Sequence, residues 1–468
     1  MKNADLFQNE ADYADLNAEN AVSHLRQALR FRTTSHMDTA LTDYAQFDAF
    51  HAFLRAAYPK ITENAVCEEI GHSLLICLPG SDASLKPALF MAHQDVVPVV
   101  PGTEADWRHD PFSGDLADGF IWGRGAMDIK EMLIGIMEAA EYLLSRGKRF
   151  TRTVYMAFGE DEETVSDGAV AIVNTLKARG IEPEFVLDEG AGEVTDAADY
   201  GAPDTLICAV GVYEKGYADL KLTAYSKGGH SSNPFRGTSL QALARAITDI
   251  AEHPMKAHLS AAIRDTLRTL QPRITEEPMK TWAADIDRYE KEIINWFLSK
   301  ESLYHQVLTT CAPTQIDPGS PAGNVMPQNM SAVINFRLSP PDTPESLLTH
   351  CREVTNGDVD LSFVQAMGPS RPSDISGIGY RSLVNVLTHY FDRLVFIPVQ
   401  NRGATDARRY EEICRCCLRF GPFLEEEEVS SEGVHGTNER ISVRAYLQGI
   451  RVLIRMMEVT CLTPDDMK

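Results

Sequence analysis

Three stretches between Ala88 and Glu163 set groups able to bind a metal at the ends of apolar runs. ALFMAHQD delivers His93 and Asp95, WGRGAMDIKEM delivers Asp128, and TVYMAFGEDEE delivers Glu162 and Glu163. An imidazole two residues from a carboxylate can bind a cation while the carboxylate holds the ring. A carboxylate at a helix start can cap the helix or bridge two cations, and both readings of Asp128 stand at this point. Four acids in a row after Gly159 make a solvated turn unless a buried strand precedes them, in which case a cation must relieve their repulsion. With a metal present, one acid of the Glu162–Glu163 pair could ligate while the other takes a proton from water, the division of labour of two-metal hydrolysis.

The elements that would position these groups are legible from spacing. Residues 88–92, 153–158 and 184–187 are short, apolar and uninterrupted, as buried parallel strands are, and each ends in acid or imidazole: His93, Glu162 with Glu163, and Asp188 in VLDEG. Helical spacing marks 17–31, 44–57 and 168–178, and a further amphipathic run from Asp128 to Leu144. Strands alternating with helices predict an α/β domain whose ligands sit at the carboxyl ends of the strands.

After Gly190 the pattern changes. LICAVGVYEKGYADLKLTAYS reads as two antiparallel strands around a turn, a helix covers 240–250, residues 260–300 are charged and helical without visible chemistry, and the strand before Pro340 carries Asn335 and Arg337 on one face. An inserted domain is therefore expected at 205–374, between catalytic segments 1–204 and 375–468. The second segment has a helix to Tyr390, a strand in LVFIPV, the loop NRGATDARRY and a final helix 441–457. Cys414, Cys416 and Cys417 could form a soft-metal site but read as buried packing, and the run Glu425–Glu428 reads as a solvated loop. His435, on these grounds alone, is an exposed loop histidine.

Composition bounds the rest. With 468 residues, 44 Lys plus Arg and 67 Asp plus Glu, the net charge is −23, which argues against nucleic-acid or anionic-membrane partners. Nine cysteines without a framework spacing, and no apolar signal or bilayer-length run, lead to the expectation of a cytoplasmic protein with reduced thiols.

His93-x-Asp95, Asp128, Glu162–Glu163, Asp188 and His435 in HGTNE, in that order, resemble the motifs of the zinc amidohydrolase and exopeptidase family that contains carboxypeptidase S, the aminoacylases, acetylornithine deacetylase and succinyl-diaminopimelate desuccinylase. The carboxypeptidase S-like branch is the nearest, and the resemblance spans almost the whole chain. It implies a catalytic domain with a central mixed sheet flanked by helices, and an inserted two-layer α+β lid with an antiparallel sheet. It implies two zinc ions, with cobalt or manganese as alternatives, bridged by Asp128, one completed by His93 and Asp188 and the other by Glu163 and His435. Glu162 would be the general base, Asp95 would orient His93, and the peptide after Asp128 would be cis. His230 in GGHSS resembles the histidine that polarises the scissile carbonyl, in dimeric relatives from the opposite subunit, so a homodimer through the lid enters as an option. Asn324 in GNVMP, Arg337 in NFR, and Gly403, Thr405 and Arg408 in GATDAR match substrate-binding positions, whereas Arg409 stands where the branch commonly has histidine. The implied reaction is hydrolysis of an amide in a small dipeptide or N-acyl amino acid with a free carboxylate, by metal-activated water. A deacylase of a biosynthetic intermediate and a non-catalytic binding protein on the same fold are the alternatives.

Overall fold

The computed structural model describes residues 6–320, 322–401, 403–425 and 433–463. A nine-stranded mixed sheet organises the catalytic domain. Eight strands run in the order Val66–Ile70, Ser73–Leu78, Val154–Gly159, Ala88–His93, Phe185–Asp188, Cys417–Arg419, Ala202–Glu214 and Leu394–Asn401, and Val194–Ala197 pairs with Ala202–Glu214 as the ninth. The three strands foreseen as buried are parallel to one another, with Ala88 opposite both Val154 and Phe185. All residues of Ala88–His93 and Val154–Gly159 are buried, because helices cover both faces. One face packs on Lys130–Ser145, Val443–Cys461, Ala18–Ala28 and Ile378–Tyr390. The other packs on Asp167–Ala178 and on the Tyr410–Cys417 segment, where Cys414 and Cys417 are core residues, as the packing reading of the cysteines requires. The run Glu426–Glu428 lies outside the described residues; Glu425 accepts a hydrogen bond from the Ser442 backbone (2.6 Å).

The lid is a four-stranded antiparallel sheet in the order Thr310–Ile316, Asn329–Leu338, Gly216–Tyr225, Asp360–Met367, with helices Ser239–Glu252 and Pro344–Val354 on one face. The alternation of Gly216–Tyr225 dictates this layering: Ala218, Leu220, Leu222 and Ala224 turn to the helices, and the intervening residues face away. On that outer face Asn335 donates to Asp219 (2.8 Å), and the Arg337 guanidinium lies 4.8 Å from the Tyr217 ring centre.

Two expectations about this region are corrected. The two strands read as a hairpin belong to different sheets: Ala202–Glu214 is parallel to Leu394–Asn401 in the catalytic domain, and the lid begins at Gly216. Apolar alternation looks alike in both strands, and only the long-range partner separates them. The lid sheet accordingly spans 216–367, not 205–374. The helical stretch within that span, Ala261–Leu270 and Glu290–Leu298 included, packs instead on the catalytic sheet through Ile207, Val395 and Ile397. The first and last crossings between the domains lie side by side. Ser370 Oγ accepts from the Glu214 N–H (2.8 Å), and the Ser370 N–H donates to the Glu214 carbonyl (3.0 Å). No helix of the described residues is long and apolar enough to cross a membrane.

Candidate metal centre

His93 closes its strand, Asp128 lies in the loop before helix Lys130–Ser145, and Glu162 and Glu163 follow strand Val154–Gly159. Asp128 is not the helix cap; Ile129 holds that position, and the Asp128–Ile129 peptide is cis. The Asp128 carboxylate is thereby left to divide its oxygens. Oδ1 lies 3.1 Å from His93 Nε2, and Oδ2 lies 2.9 Å from His435 Nε2. His435 Nε2 is also 3.1 Å from Glu163, and His93 Nε2 is 3.4 Å from Glu189. Two groups result, His93–Asp128–Glu189 and Asp128–Glu163–His435, with the ligand atoms of each within 4.8 Å of one another and Asp128 common to both.

Asp188 is not the carboxylate that faces His93; Glu189 is. Asp188 follows the direction of Val186, towards the side of Ala407, where its Oδ2 accepts the Ala407 N–H (2.8 Å). Glu189 follows Leu187, towards the face covered by helix Lys130–Ser145. The sequence offers both acids in VLDEG, and Glu189, one residue beyond the strand end, is the one that reaches His93.

Asp95 holds more than His93. Its Oδ1 lies 3.3 Å from His93 Nδ1 and accepts the Glu162 N–H (3.1 Å), while Oδ2 accepts the Glu163 N–H (3.1 Å) and Ser35 Oγ (2.5 Å). One buried carboxylate therefore fixes the imidazole and both residues of the glutamate pair. A second anchor went unseen in the sequence. Glu439, in HGTNE, is fully buried, pairs with Arg124 Nη1 (2.6 Å) and accepts the Met127 N–H (2.8 Å), and Arg124 Nη2 donates to the Gly436 carbonyl (3.0 Å). The loop of His435 is thus tied to the loop of Asp128. His435 itself has φ of +58°, left-handed backbone that a non-glycine residue adopts at a cost and mostly where function demands it.

The charge pattern fits divalent cations. Burial opposes ionisation of Asp128, but hydrogen bonds from His435 and His93 outweigh it and hold the carboxyl below its usual range. Hydrogen bonds to Asp128 and Glu163 push His435 up to about 10. Burial pushes Glu189 up to about 8, and burial together with the Glu189 charge raises Glu162 well above its usual range. Crowded carboxylates that hold protons or draw them onto imidazoles are an anionic site calling for positive charge. The donor set of imidazole and carboxylate suits zinc.

The remaining expected site residues lie on the lid and the 403–408 loop. His230 is exposed on a two-stranded ribbon with Val325, its Nδ1 accepting the Ser232 N–H (3.1 Å), and the Asn324 carbonyl accepts the Ser231 N–H (2.9 Å), so His230 and Asn324 are neighbours. Gly403 and Arg337 line one cavity. Thr405 and Arg408 turn elsewhere. The Thr405 N–H and hydroxyl donate to Glu214 Oε1 (3.1 and 2.9 Å), and Arg408 lies 3.3 Å from Glu214 Oε2 and donates to the Gly368 carbonyl (2.9 Å). These two residues fasten the crossing to the lid, because Glu214 is a buried anion that they and Arg419 (2.9 Å) must neutralise.

A model of the peptidase family M20/M25/M40 matches residues 89–459. The chain belongs to this family. Among curated proteins, the M20 chain is 33% identical over 434 residues to a probable carboxypeptidase S-like 2 of Dictyostelium discoideum, covering 91% of this chain and 82% of that one. It is 30% identical over 436 residues to the N-fatty-acyl-amino acid synthase/hydrolase PM20D1 of Homo sapiens, covering 92% and 84%. Among solved structures, the M20 family metallo-carboxypeptidase Sso-CP2 from Sulfolobus solfataricus superposes with a TM-score of 0.63 at 18% identity, covering 93% of this chain and 98% of that one. Human carnosine dipeptidase 1 superposes with a TM-score of 0.59 at 14% identity, covering 96% and 97%. The M20 chain is a metal-dependent hydrolase of peptide or amide bonds, with the catalytic sheet and separate lid of that architecture.

Proposed function

We propose that this M20 hydrolase cleaves the amide of a small dipeptide or N-acyl amino acid bearing a free carboxylate. The observation that carries the reading is the pair of ligand groups sharing Asp128, with the Glu162 carboxyl beside them and outside both. Two zinc ions would be held, one by His93, Asp128 and Glu189, the other by Asp128, Glu163 and His435; cobalt or manganese suits the same donors. When bound, such a pair supplies Lewis-acid polarisation of the carbonyl and a water of lowered pKa.

The chain's own residues supply the rest. Glu162 takes a proton from the attacking water, keeps it because burial favours its neutral form, and returns it to the leaving amine. Asp95 keeps Glu162 in position through the peptide N–H that it accepts. His230 donates to the developing oxyanion, from the same chain or, in a homodimer through the lid, from the partner; its exposure on a ribbon beside the lid sheet suits either route. Arg337 offers a fork to the substrate carboxylate. The relatives carry the names of a carboxypeptidase and of an N-fatty-acyl-amino acid hydrolase, which is why both a peptide and an N-acyl substrate belong to the reading. A cytoplasmic setting accords with nine unpaired cysteines.

A panel of dipeptides and N-acyl amino acids, assayed with zinc, cobalt or manganese, tests the activity. In the Glu162→Gln variant, metal content is expected to remain while turnover falls about 10²–10⁴-fold, the usual contribution of a general base. Near-normal turnover in that variant would refute the assignment.

A further inference from the structure

Beyond the metal centre, a cavity of about 1100 Å³ opens between the catalytic sheet, the base of the lid and the helical stretch 261–306. It is at the upper end of what small-molecule sites enclose. Its floor is aliphatic, built from Ile207 and Ala209 of one strand, Ile397 and Val399 of the next, and Ile263 of helix Ala261–Leu270. At one end stand Gly403, Arg337 and Ala191, and Ala191 is two residues from Glu189, so the wall of the cavity and a wall of the metal centre are one loop. From the strand of Glu189 to strand Leu394–Asn401 there are three strand intervals, about 14 Å at the usual inter-strand spacing. The cavity thus runs sideways from the chemistry along the sheet.

The polar groups give it a direction. Arg337 stacks on Tyr217, and no carboxylate among the described residues pairs with it. Its guanidinium is available to a carboxylate at the end nearest Glu189. The exposed acids Glu193, Asp196 and Glu301 stand on the lining as well and repel a second carboxylate. The rest of the lining sets polar side chains, Lys215, Thr266, Gln306 and Gln400 among them, around the aliphatic floor, and against that floor each buried methylene of a ligand gains about 0.8 kcal/mol in transfer.

We propose that this cavity receives the side chain of the carboxylate-bearing half of the substrate and selects large apolar groups there, the 261–306 helices serving as its outer wall. The proposal rests on the function proposed above. The sequence of the helical stretch displays no chemistry because its contribution is shape.

The test compares kcat/KM for N-acetyl-glycine and N-acetyl-phenylalanine, and separately for N-acetyl-glycine and N-lauroyl-glycine, in the wild type and in Ala209→Phe, which fills the floor opposite Ile397. Wild type is expected to favour phenylalanine over glycine. Ala209→Phe is expected to collapse that ratio about tenfold or more, the scale on which pockets discriminate apolar groups, while leaving the lauroyl-to-acetyl ratio as it was. An unchanged phenylalanine-to-glycine ratio overturns the proposal, and so does a collapse of the lauroyl-to-acetyl ratio in its stead, which would assign the cavity to the acyl half. Should Ala209→Phe not fold, Val399→Trp narrows the cavity from the neighbouring strand and carries the same comparison. If the wild type cleaves none of these substrates with any of the three metals, the proposed function falls and this proposal with it; cleavage with an unchanged ratio removes this proposal alone.

Discussion

Replacing Arg124 by methionine is expected to weaken the metal centre without touching a ligand. Arg124 and Glu439 are almost fully buried at 2% and 0% exposure, and their contact at 2.6 Å joins the Asp128 loop to the His435 loop beside the bonds from the Gly123 and Met127 N–H groups to Glu439 and from Arg124 to the Gly436 carbonyl. Methionine keeps most of the volume but leaves the Glu439 carboxylate uncompensated, which costs about 3–5 kcal/mol for a buried pair broken on one side. Burial already holds Glu439 up at about 7 despite the Arg124 charge, so the carboxyl of the variant would hold a proton and lessen that cost. Two groups positioned by the pair, Asp128 and His435, lie in the site that also contains Glu163, and loss of such outer support lowers metal affinity about 10–100-fold. Competition with a coloured chelator measures the affinity, and urea unfolding of the metal-free protein measures the stability. The double variant Arg124→Met, Glu439→Leu separates the two effects: stability is expected to recover, because an apolar pair can replace a buried ion pair, but affinity is not, because the Met127 N–H has lost its acceptor. Wild-type metal affinity in the single variant, alongside lowered stability, would refute the reasoning and reduce the pair to core filling.

Two further outcomes follow from the geometry. Glu189→Ala is expected to cost one of two bound metals in elemental analysis, whereas Asp188→Asn retains both, since its oxygen faces the Ala407 N–H; the opposite pattern would restore Asp188 as the ligand. His230→Ala is expected to leave metal content intact and to lower kcat about 10²–10³-fold, the range for loss of one oxyanion donor, and an effect confined to KM would remove it from that role.

Much of the centre was legible because its ligands end apolar strands, a position that seldom tolerates an imidazole or carboxylate without purpose. His93, Asp128, Glu162 and Glu163 needed no partner to be noticed. Asp188 reads as the ligand because it ends its strand, whereas Glu189, one residue past the strand end, is the acid that reaches His93. Thr405 and Arg408 carry the types expected of a substrate loop, yet their direction is set by Glu214, nearly two hundred positions earlier in the chain. The strand containing Glu214 was assigned to the lid for a related reason: its alternation is local, and its partner Leu394–Asn401 is not. Glu439 was hidden inside HGTNE because a buried acid and a loop acid look alike until Arg124 is brought to it.

The first and last crossings to the lid lie against one another at Glu214–Gly216 and Met367–Ser370, and a side chain on Gly216 would meet the Met367 carbonyl at 2.6 Å. Between these crossings the chain drops back onto the catalytic sheet through the helices of 261–298 and returns to the lid at Thr310, so the two bodies are stitched together more than once. The sheet can hold its chemistry constant while the lid strands are resized, but helices resting on Ile207, Val395 and Ile397 must keep their fit to it, so selectivity in such a scaffold diversifies fastest in the part that touches the sheet least.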